Sequence, residues 1–246
     1  MTASVRIGTS GWEYRDWAGR FYPADLPRDR WLEHYADAFD TVELNNSFYR
    51  LPPGDQFATW ASRVPAEFRF AVKASRYLTH LKRLRDPEEP LDRLWTRARR
   101  MGNRLGPMLY QLPPHWRPNL ERLAAFLERV PDAPQAVEFR DRRWYREPTL
   151  ALLRDARVAL CLHDMPGSST VTDAPGPFVY VRFHGSTGRY AGSYSSQRLS
   201  AWADRMAGWA TDGLPVWAYF NNDIEGHAVR DADRLRSLVG RRLSSS

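Results

Sequence analysis

The chain has 246 residues, 43% of them hydrophobic and 26% charged, which suits a soluble globular protein with one large core. Its formal net charge is +7 and its pI about 9.8, nearly all from arginine, so anionic partners are favoured over cationic ones. No apolar run reaches the roughly 18 residues of a membrane span, and "MTASVRIGTSGWEYRDW" lacks the pattern of a signal peptide, so no membrane partner and a cytoplasmic location are expected.

The first strand candidate is "VRIGT" from Val5, followed by the glycine-bearing turn "GTSG". A helical pattern, "DRWLEHYADAF", leads to a second strand, "TVELN" from Thr41. The third strand is "FRFAVKAS" from Phe68 and the fourth "PMLYQL" from Pro107, with the helix "LDRLWTRARRMGN" between them. The helix "LERLAAFLERV" separates the fourth strand from the fifth, "QAVEFR" from Gln135. The sixth strand, "VALCLHD" from Val158, holds the one cysteine, Cys161, whose apolar setting predicts a buried, inert thiol. The seventh is "FVYVRFHG" from Phe178, then the helix "LSAWADRMAGWAT", the eighth strand "VWAYFNN" from Val216, and a last helix, "AVRDADRLRSLVG". Eight strand–helix alternations predict an α/β fold, a closed (β/α)8 TIM barrel, as one domain over residues 1–246. Its ordered core is expected from about residue 5 to about residue 240, with a frayed Ser-rich tail. "MPGSSTVTDAPGP", between strands six and seven, has no helical period and is read as a loop replacing the sixth helix.

Strand side chains alternate between faces. In the seventh strand Val179, Val181 and Phe183 are apolar, so they face the helices, and Tyr180, Arg182 and His184 face the bore. The same parity turns Glu43, Asn45, Lys73, Ser75, Gln111, Glu138, Arg140, His163, Tyr219 and Asn221 inward. Polar groups thus recur at the strand C-terminal ends, where barrels of this kind carry their active sites.

Glu43 and Glu138 stand in this set against Lys73, Arg140 and Arg182, with His163 and His184 able to titrate near neutral pH. Buried charges must be paired, so some of these groups are ion pairs. The excess of cations points to a bound carboxylate or phosphate. Ligand types for a divalent metal are present, yet no close-spaced ligand motif appears and neighbouring cations oppose such an ion, so no cofactor is expected and a metal is the weaker reading. The sequence has neither a phosphate-binding P-loop nor a dinucleotide fingerprint. Loops after the strands, such as "SGWEYRDWAGRFY", "NSFYRLP", "SRYLTHLKRLRD", "DRRWYRE" and "GSTGRYAGSYS", interleave aromatics with arginine. That suits stacked bases or sugars beside phosphates. It equally suits Trp12, Trp17, Tyr49 and Trp144 acting as wedges that pack long loops.

At "GTSGWEYRDWAGRFYP", "TVELNNSFYRLP", "VRFHGSTGRYAGSYS" and "YFNNDIEGHAVRDA" the chain resembles the domain of unknown function 72 family, also called YecE-like proteins, over essentially its whole length. The resemblance implies a TIM barrel. It carries over Gly8, Ser10, Gly11, Trp12, Glu43, Asn45, Phe48, Tyr49, Lys73, Gln111, Arg182, His184, Gly185, Asn221 and Asn222 as motif positions.

The expected function is an enzyme acting on an anionic small molecule or nucleic acid: a phosphorylated sugar, a nucleotide or a polynucleotide. Lys73 and His184 transfer protons with His163 beside them, Arg182 and Arg140 clamp the anion, and Glu43 and Glu138 orient them. Gln111, Asn45, Asn221, Asn222, Tyr49, Trp12, Ser10, Gly185 and Tyr219 are the expected substrate contacts. A non-catalytic single-stranded nucleic-acid-binding protein is the first alternative. The second is a neutral-sugar enzyme using Glu43 and Glu138 as paired carboxylates.

Overall fold

The structure, a computed structural model, describes residues 2–165, 176–188 and 190–244. Its eight strands are β1 (Val5–Ser10), β2 (Thr41–Leu44), β3 (Arg69–Lys73), β4 (Leu105–Gln111), β5 (Gln135–Glu138), β6 (Ala159–Asp164), β7 (Val179–Phe183) and β8 (Val216–Phe220). They close in chain order into one parallel barrel. The helices are α1 (Trp31–Ala38), α2 (Asn46–Tyr49), α3 (Gly54–Ser62), α4 (Glu88–Ala98), α5 (Leu120–Leu127), α6 (Glu147–Asp155), α7 (Ser196–Thr211) and α8 (His227–Ser244). The chain is therefore an α/β protein with the (β/α)8 barrel that its alternation predicts. The loop expected in place of a helix after β6, residues 165–177, has its span 166–175 outside the described residues.

Two compact units are distinguished by their internal contacts. One comprises residues 2–43, 162–165, 178–188 and 190–244 of the described chain, the other residues 44–161 and 176–177.

In the first unit the registers Ser10↔Glu43, Gly8↔Tyr219 and Arg182↔Tyr219 put Gly8, Ser10, Glu43, Arg182 and Tyr219 on one face. The opposite face meets the helices. Phe183 lies against Phe220 (4.3 Å between ring centroids) and Trp202 of α7 (5.2 Å), and the Thr9 amide donates to Tyr35 Oη of α1 at 2.9 Å. The parity read from the seventh strand thus holds.

In the second unit the same alternation governs β3 to β5. Tyr110 faces outward, accepting from Trp95 Nε1 of α4 at 3.1 Å and packing edge-on against Phe126 of α5. The registers Lys73↔Leu109 and Gln111↔Glu138 set Lys73, Leu109, Gln111 and Glu138 on the face opposite Tyr110. The long loops are wedged by tryptophan. Trp144 is fully buried, stacked on Phe139 at 4.8 Å, and its Nε1 donates to Trp116 O. Trp17 plays the same part in the first unit, where it is fully buried and its Nε1 donates to Asp223 O at 2.9 Å.

Candidate functional site

Glu43 is the hub of the polar cluster in the first unit. Ser10 Oγ and Arg182 Nη2 both donate to its Oε1 at 2.7 Å, while Tyr180 Oη (2.7 Å) and Arg182 Nε (3.0 Å) donate to its Oε2. A carboxylate offers about four lone-pair sites, and these four bonds fill them. Glu43 and Arg182 are both wholly buried, which a pair of ions tolerates only when bonded in this way. Burial, then the Glu43 charge, push the Tyr180 hydroxyl far above its ordinary range, so it remains a proton donor.

This geometry corrects several expectations. Arg182 was expected to clamp an anion, but its guanidinium grips Glu43 bidentately. Glu43 was expected as an orienter or as one of two catalytic carboxylates. The four bonds suit the first role and not the second, because they occupy the lone pairs that a catalytic carboxylate would turn to a sugar. Ser10 serves Glu43 rather than a substrate. Tyr219 is fully buried with its hydroxyl 2.8 Å from Thr41 Oγ1. Trp12 is only 4% exposed and packs its loop, its carbonyl accepting from Tyr22 Oη at 2.6 Å.

Asn222 and Gly185 both have contacts within the fold, although Asn222 Oδ1 is buried with no hydrogen bond among the described residues. Asn222 Nδ2 donates to Gly192 O and Asp231 Oδ2, both at 2.9 Å, and Asp231 further accepts from Ser193 Oγ and the Tyr194 amide. This ties the loop after β7 to α8. Gly185 sits at φ +111, where a Cβ would lie 2.4 Å from Ala191 O, so only glycine fits.

His184 is fully buried with Nδ1 3.3 Å from Asn221 Nδ2, and its ring centroid lies 6.3 Å from that of His163. Its backbone amide donates to Asp164 O at 2.9 Å. The Asp164 carboxylate is held from α7 by Arg198 Nε (3.0 Å) and Trp202 Nε1 (2.6 Å).

Asp223, which the sequence reading did not single out, follows β8 in the same unit. Its Oδ1 is buried and has no hydrogen bond among the described residues. Burial, then the Asp16 charge, push its carboxyl up to about 7, against the opposing influence of Tyr14 and Arg182. Strand parity could not point to it, because β8 ends at Phe220 and Asp223 has helical backbone (φ −69, ψ −29).

The second unit carries a different cluster. Lys73 is 7% exposed, with Nζ 4.0 Å from the centre of the Phe48 ring, a cation–π geometry. His80 packs edge-on to the other side of the cluster, 5.0 Å from Phe48, with Nδ1 2.9 Å from Thr79 Oγ1. Burial, then the charges of Lys73, Arg76 and Arg140, push its imidazole down to about 4, with only Glu138 opposing. His80 is therefore neutral at pH 7. It was missed because it lies on no strand, and its only signal was the basic, aromatic run "SRYLTHLKRLRD". Arg140 Nε pairs with buried Glu138 Oε1 at 2.7 Å. Gln111 is 7% exposed, and Asn45 keeps a buried Oδ1 with no hydrogen bond among the described residues.

His80 belongs to a single π-helical turn, Tyr77–Leu81, closed by the Lys82 amide on Tyr77 O at 2.9 Å. Such turns are rare and gather at functional sites. Beyond it Arg83, Leu84 and Asp86 all take positive φ (48, 64 and 39), each at a cost of roughly 1–3 kcal/mol. A cavity of about 510 Å³ opens beside this turn, lined by Phe48, Tyr49, Ser75, Arg76 and Tyr77 among others. Tyr49, 77% exposed, is thus a groove residue and not a wedge.

Among the described residues no group of three or more His, Cys, Asp and Glu side chains could hold a metal ion, and no helix is long and apolar enough to cross a membrane.

Known proteins resemble this chain in sequence or in structure. The UPF0759 protein YunF of Bacillus subtilis (strain 168) is 25% identical over 96% of this chain and 94% of its own length. The UPF0759 protein YecE of Escherichia coli (strain K12) is 28% identical over 52% of this chain and 44% of its own. The crystal structure of a DUF72 family protein from Thermotoga maritima MSB8 superposes with a TM-score of 0.89 at 27% identity, covering 96% of this chain and 99% of that one. Residues 6–245 match the family described as "Protein of unknown function DUF72", and the chain belongs to that family.

Proposed function

We propose that the protein is an enzyme acting on an anionic, phosphate-bearing substrate held at the C-terminal ends of β3 and β5. The observation that supports this is the gathering of Lys73, Arg76 and Arg140 around neutral His80, with Glu138 among them. Arg140 is ion-paired with Glu138, whereas Arg76, which lines the 510 Å³ cavity, has no ion pair among the described residues and offers its charge to an anion. Phosphate oxygens accept several directed, charge-assisted bonds at once, so they gain most from such a field. Lys73, desolvated over Phe48, and the neutral imidazole of His80 are the groups suited to proton transfer beside that anion. The chemistry is then of hydrolase, lyase or isomerase type. His184, on Asn221, remains the proton carrier proposed for the first unit.

The test is a thermal-unfolding titration with inorganic phosphate at constant ionic strength. At 100 times its dissociation constant, phosphate should stabilise the fold by about 2.7 kcal/mol, a rise in Tm of roughly 5–10 °C for a chain of this length. Lys73→Met should abolish the shift, while Arg99→Gln should leave it intact. Equal shifts in all three proteins would mean generic surface binding and would overturn the reading.

A further inference from the structure

We infer that the surface of the second unit formed by residues 49–51, the loop between β3 and α4, and one side of α4 and α5 binds single-stranded nucleic acid. Three concavities run along it. The 510 Å³ cavity described above shares Tyr77 and Leu81 with a second, of about 580 Å³, lined also by His80, Lys82, Arg83 and Arg122. That one in turn shares Arg85, Asp86 and Arg122 with a third, of about 350 Å³, which reaches Asn119 and Arg129.

Arginines in these hollows are of two kinds: Arg93 and Arg129 face Glu89 and Glu88, and four others are unpaired among the described residues. Arg6, Arg143, Arg154, Arg234 and Arg236 each pair with an aspartate or glutamate. By contrast, Arg76, Arg83, Arg85 and Arg122 have no ion pair and no side-chain hydrogen bond among the described residues. Four unneutralised guanidinium groups along connected hollows form an electrostatic track for a polyanion. Two exposed rings border the same hollows, Tyr49 at 77% and Tyr77 at 44% exposure. Water-facing aromatic rings beside cations are what unstacked bases need.

The track is also built to hold its shape. Leu84 is 2% exposed and anchors the loop, with its amide on Leu78 O at 3.0 Å and the Arg85 amide on Lys82 O at 3.0 Å. Arg83 and Arg85 flank this anchor, and left-handed backbone at Arg83, Leu84 and Asp86 sets their directions. Strained backbone kept by over-determining contacts marks segments where orientation matters. A duplex would use the arginines but not the rings, because its base faces are covered. A flat anionic membrane fits neither the hollows nor the rings set beside them.

The inference shares its anionic ligand class with the reading above but does not depend on Lys73. The experiment is fluorescence anisotropy with a labelled 12-nucleotide single strand of mixed sequence, titrated at several salt concentrations. With about four phosphates neutralised, the log–log salt slope should be near −3, a loss of roughly fifty-fold between 50 and 200 mM salt. Arg83→Gln/Arg85→Gln/Arg122→Gln should flatten the slope by about 2, and Tyr77→Ala should weaken binding about tenfold at constant slope. The charge-matched Arg28→Gln/Arg99→Gln/Arg205→Gln variant and Lys73→Met should bind like the wild type. Equal binding by both triple variants would overturn the inference. So would loss in Lys73→Met alone, equal affinity for the matching duplex, or preference for vesicles of mixed neutral and anionic lipid. A failed phosphate titration with this pattern intact would remove only the Lys73 reading.

Discussion

Asp223 and Glu43 are both acids of the first unit, yet their surroundings treat them in opposite ways. Glu43 has four donors on two oxygens, so its carboxylate is fixed in position. Asp223 is half-buried, with one oxygen unbonded and Asp16 nearby, so its neutral form is favoured and its carboxyl is raised to about 7. A raised carboxyl stabilises the fold below its unfolded value near 4, and that contribution is lost as pH rises through 7. Asp223→Asn should therefore stabilise the protein at pH 8 relative to pH 4, by at most about 4 kcal/mol. For Glu43→Gln the expected change is a loss of about 3 kcal/mol in urea denaturation, since the buried Arg182 keeps its charge without its partner. Replacing both residues by apolar ones of similar size should recover much of that loss. An unchanged denaturation midpoint in Glu43→Gln would mean that the pair adds nothing.

At the level of elements, the close approach of β1 to β2 depends on one missing side chain. A Cβ on Gly8 would lie 2.2 Å from Thr41 O and 2.9 Å from Tyr35 Oη. Neither neighbour is loose, as the carbonyl accepts from Tyr35 Oη at 3.0 Å and Tyr35 is itself fully buried. Gly8→Ala must push β1 away from β2 and disturb the Ser10–Glu43 bond two residues on. Equilibrium unfolding should report a loss of about 2–3 kcal/mol, the range of an overpacked core; wild-type stability in the variant would show that β2 yields freely. The π-helical turn after β3 is the opposite case, an element that spends stability on direction. It brings His80 to Phe48 and, with the left-handed residues beyond it, sets out Arg83 and Arg85.

For the molecule as a whole, two groups titrate in one pH window with opposite sign. His80 is lowered to about 4, so its contribution is present above its unfolded value near 6.5 and is lost as pH falls toward 4. Asp223 loses its contribution as pH rises across nearly the same interval. In the wild type the two slopes offset each other, and thermal stability should be nearly flat between pH 4.5 and about 6.5 at constant salt. Asp223→Asn should expose the His80 slope, with Tm rising with pH, and His80→Gln should expose the reverse. Parallel profiles in the three proteins would show that neither group is shifted.

The sequence by itself determined the barrel, because eight apolar runs alternating with amphipathic helices leave few other ways to bury both. It also determined which strand residues face away from the helices, since the strand period of two follows from the backbone alone. Glu43, Lys73, Gln111, Glu138 and Arg182 were legible as inward residues for this reason, whereas Asp223 follows β8 in helical backbone, where the period of two has ended. What only the tertiary structure decided is which of these groups satisfy one another. Arg182 and Glu43 are 139 residues apart in the chain, and no local pattern records that their hydrogen bonds meet. His80 and the arginines beyond it stand where they do because a π-helical turn and a buried Leu84 place them there. Neither feature has a periodicity, so position could emerge only once the chain had packed.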